Sequence, residues 1–204
     1  MRSKFWALPL FALALAALAC SAVPAGTVLF KDDFSDSSGE WKYTDHATVD
    51  NGRLVVQIDK AKTLVWTAIG EAGLANVHVE VSAQNSGPAT DDVFGLVCGY
   101  QDTDNFYFLG IGTDGYYLIE KYEKNVETLL VDGTSDQLSQ DPGATYRLGA
   151  DCRAGSLTLY ADGQSVATAD DTAFAKGDVG LFVSSYKKPN AATSFDDFVV
   201  TALP

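Results

Sequence analysis

From Thr27 to the carboxyl end, apolar and polar residues alternate at every second place in short runs, and the runs are separated by residues that favour tight turns. A period of two puts successive side chains on opposite faces of a strand, whereas a helix needs a period near 3.6, which is largely missing here. The punctuation includes Asp50-Asn51-Gly52, Asp114-Gly115, Lys124-Asn125 and Asp162-Gly163, all suited to the positive φ angles of hairpin turns. Of the 27 acidic residues 21 are Asp, the one that favours turns, and only 6 are Glu. The alternation predicts strands over 27–34, 41–44, 53–59, 63–69, 77–84, 93–101, 106–112, 116–123, 126–131, 145–152, 156–161, 164–169, 179–185 and 194–201. Pro88, Pro142 and Pro189 all fall between them, as segments that must donate ladder hydrogen bonds require.

So many short antiparallel strands need two sheets packed face to face, because a single open sheet leaves an apolar face in water. The expected fold is therefore an all-β, two-sheet antiparallel β-sandwich, one domain over 27–203. Its first and last strands carry related text, Phe30-Lys31-Asp32-Asp33-Phe34 and Phe195-Asp196-Asp197-Phe198. Strict alternation sends Phe195 and Phe198 to opposite faces, so a bulge is expected near Asp196.

The first 19 residues have the form of a signal peptide: Arg2 and Lys4 precede an apolar run from Phe5 to Ala19 that is short for a bilayer helix. The end of that run, Ala17-Leu18-Ala19-Cys20, resembles the lipobox of bacterial lipoproteins, with Leu18 one place later than usual. The resemblance implies diacylglycerol on Cys20, a tether over 20–26 and a lipid anchor in the cell envelope. Ordinary cleavage after Ala19, or near Ala25, is the competing outcome and gives a soluble secreted protein. A formal charge of −13 argues against nucleic acid as a partner.

Three cysteines become an even pair once Cys20 carries lipid. Cys98 shares parity with Phe94 and Leu96, and Cys152 with Tyr146, Leu148 and Ala150, so both sulfurs are expected to face the core. A Cys98–Cys152 disulfide closes a loop of about 55 residues, for which chain entropy gives about 4 kcal/mol; two buried thiols are the alternative.

The stretches VFGLVCGYQDTDNFYFLGIGTDGYYLIEKY, YRLGADCRAGSLTLYADGQSVA, GDVGLFVSS and FDDFVV, in that order, resemble the concanavalin A-like lectin and glucanase jelly rolls. Within that superfamily they are most similar to laminin-G-like and 3-keto-disaccharide-hydrolase-like domains of bacterial lipoproteins. The superfamily spans lectins, glycosidases and adhesion modules, so the resemblance implies a jelly roll and leaves the activity open.

Glucanases of the superfamily place Glu, Asp and Glu on one strand, and no such motif occurs. Glu120, Glu123 and Glu127 read as solvated strand and hairpin residues, while Asp91, Asp92, Asp102 and Asp104 are the loop carboxylates from which a catalytic pair, or a Ca²⁺ site, could be assembled. The better calcium candidate is Asp33 with Asp197, at the ends of strands that neighbour each other in many jelly rolls. His46 and His78 lack a second ligand at zinc spacing, and His78 belongs to a solvent face with Glu80 and Ser82.

Gly95 and Gly99 stand opposite the core-facing residues of their run, so a shallow groove is expected there. Aromatic rings beside a groove suit sugars, whose C–H faces stack on them while hydroxyls bond to Asp, Asn and Gln. Trp66, Tyr100, Gln101, Asn105, Tyr107 and Tyr117 are the ligand-binding candidates. The leading expectation is a non-catalytic envelope module for carbohydrate or another extracellular surface, with no cofactor beyond a structural Ca²⁺. A hydrolase or lyase acting on modified disaccharides, and an envelope structural or protein-interaction domain, are the alternatives.

Overall fold

The computed structural model describes residues 23–36, 41, 46–70, 73–88, 91–141 and 143–204. The leader, Cys20, Pro142 and residues 42–44 of the expected second strand lie outside the described residues. Among the described residues fourteen strands follow in chain order: β1 (Val28–Asp32), β2 (Ala47–Asp50), β3 (Arg53–Ile58), β4 (Thr63–Ala68), β5 (Val77–Asn85), β6 (Val93–Asp102), β7 (Asn105–Gly112), β8 (Tyr116–Glu123), β9 (Val126–Thr134), β10 (Thr145–Arg153), β11 (Ser156–Ala161), β12 (Gln164–Ala169), β13 (Asp178–Ser185) and β14 (Ala191–Ala202).

They form two antiparallel sheets. One runs β12-β11-β10-β5-β14-β3-β2, with β1 added on β14, and the other runs β4-β13-β6-β7-β8-β9. The inward residues make one continuous core: Val79, Val81, Leu148, Leu159 and Val200 from the eight-stranded sheet face Phe94, Leu96, Leu109, Ile111 and Leu181 from the six-stranded one. Burying such side chains is worth roughly 1.5–3 kcal/mol each against leaving them in water, which is why the period-two pattern locks each strand's register.

β14 is the longest strand and changes edge partner along its length. Its first half pairs with β3, from Ala191 with Ile58 to Phe195 with Leu54. Its second half pairs with β1, from Phe198 with Asp32 to Thr201 with Val28. The expected bulge sits at the changeover, with the β5 register shifting between Asp196 and Val199 and Asp197 at φ 51°. The extra residue lets Phe195 and Phe198 both point inward, each 0% exposed.

The second strand lies later than the alternation predicts. Trp41 forms only an isolated bridge with Ile69, and β2 instead abuts the turn at Asn51 and Gly52, whose φ angles of 51° and 73° close a hairpin onto β3. Trp41 is still committed: it is 6% exposed, packs edge-on to Phe198 with centroids 4.8 Å apart, and donates its indole hydrogen to Asp32 Oδ2 at 2.7 Å.

Cys98 on β6 and Cys152 on β10 are disulfide-bonded, with Cα atoms 5.7 Å apart. The bond ties one sheet to the other. Cys98 is fully buried and Cys152 is partly buried against the core.

Candidate functional site

A sandwich with water on both sides should present polar outer faces. The eight-stranded sheet does. His78 Nδ1 lies 2.7 Å from Asp151 and its Nε2 3.3 Å from Glu80, which also holds Arg147 at 3.2 Å. Tyr160 donates to Asp151 at 3.4 Å, and Arg153 sits 3.5 Å from the same carboxylate. His78 thus lies on the solvent-side face shared with Glu80, held among charges.

The six-stranded sheet breaks the rule. Its outward residues form a second apolar cluster, separate from the core, in which Val93, Val97, Phe106, Phe108 and Phe182 are buried beneath partly exposed Leu64, Trp66, Tyr100, Tyr116, Leu118 and Tyr122. Phe106 is the hub, 4.6 Å from Phe108, 5.1 Å from Trp66, 5.3 Å from Tyr122 and 5.6 Å from Tyr100, centroid to centroid. These residues come from β4, β6, β7, β8 and β13, so the face spans most of the sheet. An outward-facing apolar cluster on a sheet face is the candidate interaction surface of this fold.

Polar groups border the rings. Tyr122 donates its hydroxyl hydrogen to Asn125 Oδ1 at 3.0 Å, and Tyr116 donates to Asp132 Oδ2 at 3.0 Å. Burial, followed by that bond, pushes the Tyr116 hydroxyl up to about 12, so it stays a proton donor. Burial also raises the Tyr100 hydroxyl, against a hydrogen bond from Trp66.

Glu120 belongs to this face, not to bulk solvent as the alternation suggested. It shares the parity of Tyr116, Leu118 and Tyr122 on β8 and pairs across the ladder with Phe108. Burial first, and then the charge of Glu127, raise its pKa. It is a carboxyl held partly out of water among aromatic rings.

The expected groove is filled. Gly95 and Gly110 are cross-strand partners, and Phe182 pairs with Gly95 on the other side. A Cβ on Gly110 would meet the Phe182 ring at 2.5 Å, and one on Gly95 would run into the Leu109 carbonyl oxygen. The glycines therefore seat the Phe182 ring, and the result is an aromatic platform in place of a trough.

The structure brings Trp66 and Tyr100 into the platform. Gln101 lies at the adjoining strand end, where its side-chain amide donates to the carbonyls of Gly99, at 3.2 Å, and Lys176. Asn105 holds the β6–β7 turn, donating to Asp102 Oδ1 at 2.7 Å and accepting from Lys124 N. Tyr107 points the other way, into the core, 1% exposed, with its hydroxyl donating to Asp171 at 2.6 Å. Tyr117 packs against the core beside Gly133. Phe106, Phe108, Tyr116, Tyr122 and Phe182 stood outside the ligand-binding candidates, although Phe106-Tyr107-Phe108 and Tyr116-Tyr117 put aromatic rings on both parities of their strands. The signal was there: Phe106 and Phe108 must face away from Tyr107 once Tyr107 is inward.

β1 and β14 are neighbours, as the Asp33 and Asp197 candidate requires. Asp32 spends both carboxylate oxygens on Phe34 N and Trp41 Nε1, Asp33 caps Ser35 N at 3.0 Å, and Asp196 accepts from Asp197 N at 2.8 Å. The hydrogen bonds from Ser35 lower the pKa of the exposed Asp33.

No family model matches the sequence, and no curated protein matches it either. Solved structures do match in shape. The carbohydrate-binding module CBM66 from Bacillus subtilis superposes with a TM-score of 0.67 at 13% identity, over 80% of this chain and 96% of that one. The GH43 BlXynB protein from Bacillus licheniformis gives 0.65 at 17% identity over 84% of this chain, which spans only 39% of that protein's length. A β-glucanase from Bacillus licheniformis gives 0.62 at 12% identity, over 89% of this chain and all of the other. Identities this low carry the architecture and nothing finer: the chain has the concanavalin A-like jelly-roll fold.

Proposed function

We propose that this protein is an exported, non-catalytic carbohydrate-binding module, lipid-anchored through Cys20 in a bacterial cell envelope. The observation that carries the reading is the aromatic platform: Trp66, Tyr100, Tyr116 and Tyr122 stay partly exposed over buried Phe106 and Phe182 on a face that water should otherwise have made polar. Sugar C–H faces stack on such rings, and Glu120, Asn125 and Asp132 at the border supply acceptors for hydroxyls. Among proteins of similar shape, one is named a carbohydrate-binding module, which supports the same reading.

A second reading has one observation in its favour. Glu120 is a partly buried carboxyl whose pKa is raised by burial and then by the charge of Glu127, the direction of shift seen in the general acid of a glycoside hydrolase. It makes the protein a hydrolase or lyase acting on modified disaccharides.

Glycan-array binding followed by calorimetry tests both. The binding module retains its glycan, releases no new sugar on chromatography, and binds roughly 10-fold more weakly when either Trp66 or Tyr122 is replaced by Ala, the loss of about 1.4 kcal/mol of stacking. Product formation that vanishes in Glu120→Gln selects the hydrolase instead. Failure of every glycan to bind, with capture of a defined envelope protein, removes both. Mass spectrometry of the membrane-extracted protein finds a diacylated Cys20 if the anchor is correct and a free, unmodified amino terminus if it is not.

A further inference from the structure

At the end of the sandwich where β5 finishes and β6 begins, Asp92 and Thr113 stand one register step beyond the Val93–Gly112 pair. Both point inward, Asp92 with the parity of Phe94 and Leu96, Thr113 with that of Leu109 and Ile111. Asp92 is 0% exposed and Thr113 5%. Among the described residues, neither carboxylate oxygen of Asp92 has a hydrogen-bond partner, and neither does the Thr113 hydroxyl. Asp91 Oδ1 is buried and unpartnered too, while its other oxygen accepts from Lys187 N at 3.0 Å. On the facing sheet, at the same end, Thr193 Oγ1 is a further unpartnered oxygen on a residue 0% exposed.

Every atom of this set is oxygen, and a buried carboxylate with no donor is among the costliest groups a fold can contain. What complements it is electron-poor, compact and at home among hard oxygens, which describes Ca²⁺ better than any soft metal. We propose that Asp92, with Thr113 and the inner oxygen of Asp91, forms a cation site that takes Ca²⁺. Among the described residues no three acidic, His or Cys side chains gather as a metal cluster, so this is a two-carboxylate site completed by neutral oxygens and water, a set that Ca²⁺ accepts. Burial first, and then the neighbouring charge of Asp91, raise the Asp92 carboxyl to about 6; Lys188 opposes them through space without bonding to either oxygen. The site is separate from Asp33 and Asp197, and it stands whether or not the aromatic platform binds sugar.

The experiment uses the processed protein, stripped with EDTA and desalted, titrated calorimetrically with CaCl₂ and in parallel with MgCl₂, with melting followed in EDTA and in saturating Ca²⁺. One Ca²⁺ binds per chain, Mg²⁺ binds more weakly, and Tm rises by about 5–10 °C at a hundred-fold excess over Kd. Asp92→Asn weakens Ca²⁺ binding at least 10-fold yet melts in EDTA at or above the unsubstituted protein, because it removes an uncompensated charge. Asp197→Asn leaves the affinity unchanged. Should Asp92→Asn fail to fold, Thr113→Val carries the test and weakens Ca²⁺ several-fold. Absence of binding heat with identical melting in EDTA and Ca²⁺ overturns the site, as does a Ca²⁺ response that survives Asp92→Asn or disappears in Asp197→Asn.

Discussion

The Tyr107 hydroxyl donates to Asp171 and accepts from Phe174 N at 3.1 Å, while Lys121 Nζ reaches the same carboxylate at 2.9 Å. Burial alone would raise the pKa of Asp171, but the hydrogen bonds from Tyr107 and Ala173 N, together with Lys121, hold it below its ordinary 3.8. A depressed carboxyl stabilises the folded state above its unfolded pKa and stops doing so as pH falls through the folded one. Tyr107→Phe therefore costs about 1–2 kcal/mol at pH 7, roughly 4 °C in Tm, and makes the acid-side fall in Tm shallower, as melting curves between neutral pH and pH 3 will read. The sequence singled out Tyr107 as a ligand-binding candidate but left open which way each ring of Phe106-Tyr107-Phe108 points. A run of aromatic residues with no polar member gives alternation nothing to register against, and only the partners of Tyr107 decide its face.

Two elements owe their shape to local exceptions. The glycines opposite Phe182 are one: Gly95→Ala drives a methyl into the Leu109 carbonyl and costs about 1–3 kcal/mol through backbone displacement. Gly110→Ala meets the Phe182 ring instead, so it disturbs the platform and lowers glycan affinity by more than its effect on Tm accounts for. Paired melting and binding measurements separate the two variants. The β14 bulge is the other exception, and it was legible because two phenylalanines three apart cannot share a face without it. The position of β2 was not legible in the same way: Trp41 is as strand-like as anything in the chain, but a hairpin starts at its turn, and Asn51-Gly52 fixes the strand immediately before it.

At the scale of the molecule, the two sheets have opposite outer characters, one laced with ion pairs and one paved with aromatic rings, and a single disulfide joins them through the interior. Because alternation is blind to which face is inner when both are apolar, the sequence disclosed the sandwich and hid the platform. Reducing Cys98–Cys152, or replacing both by Ala, removes about 4 kcal/mol by the chain-entropy estimate, which denaturant titration of the oxidised and reduced forms will measure. The amino end enters the fold beside the carboxyl end, with Gly26 N donating to Ala202 O at 2.8 Å and Ala202 N to Thr27 O at 2.9 Å before β1 runs antiparallel along β14. A pull on the leading segment, directed outward along the strand axis, slides β1 lengthwise against its neighbour and strains all the rungs of that ladder together. Peeling would break them in turn at low force, whereas this shear geometry makes the entry point a mechanical clamp.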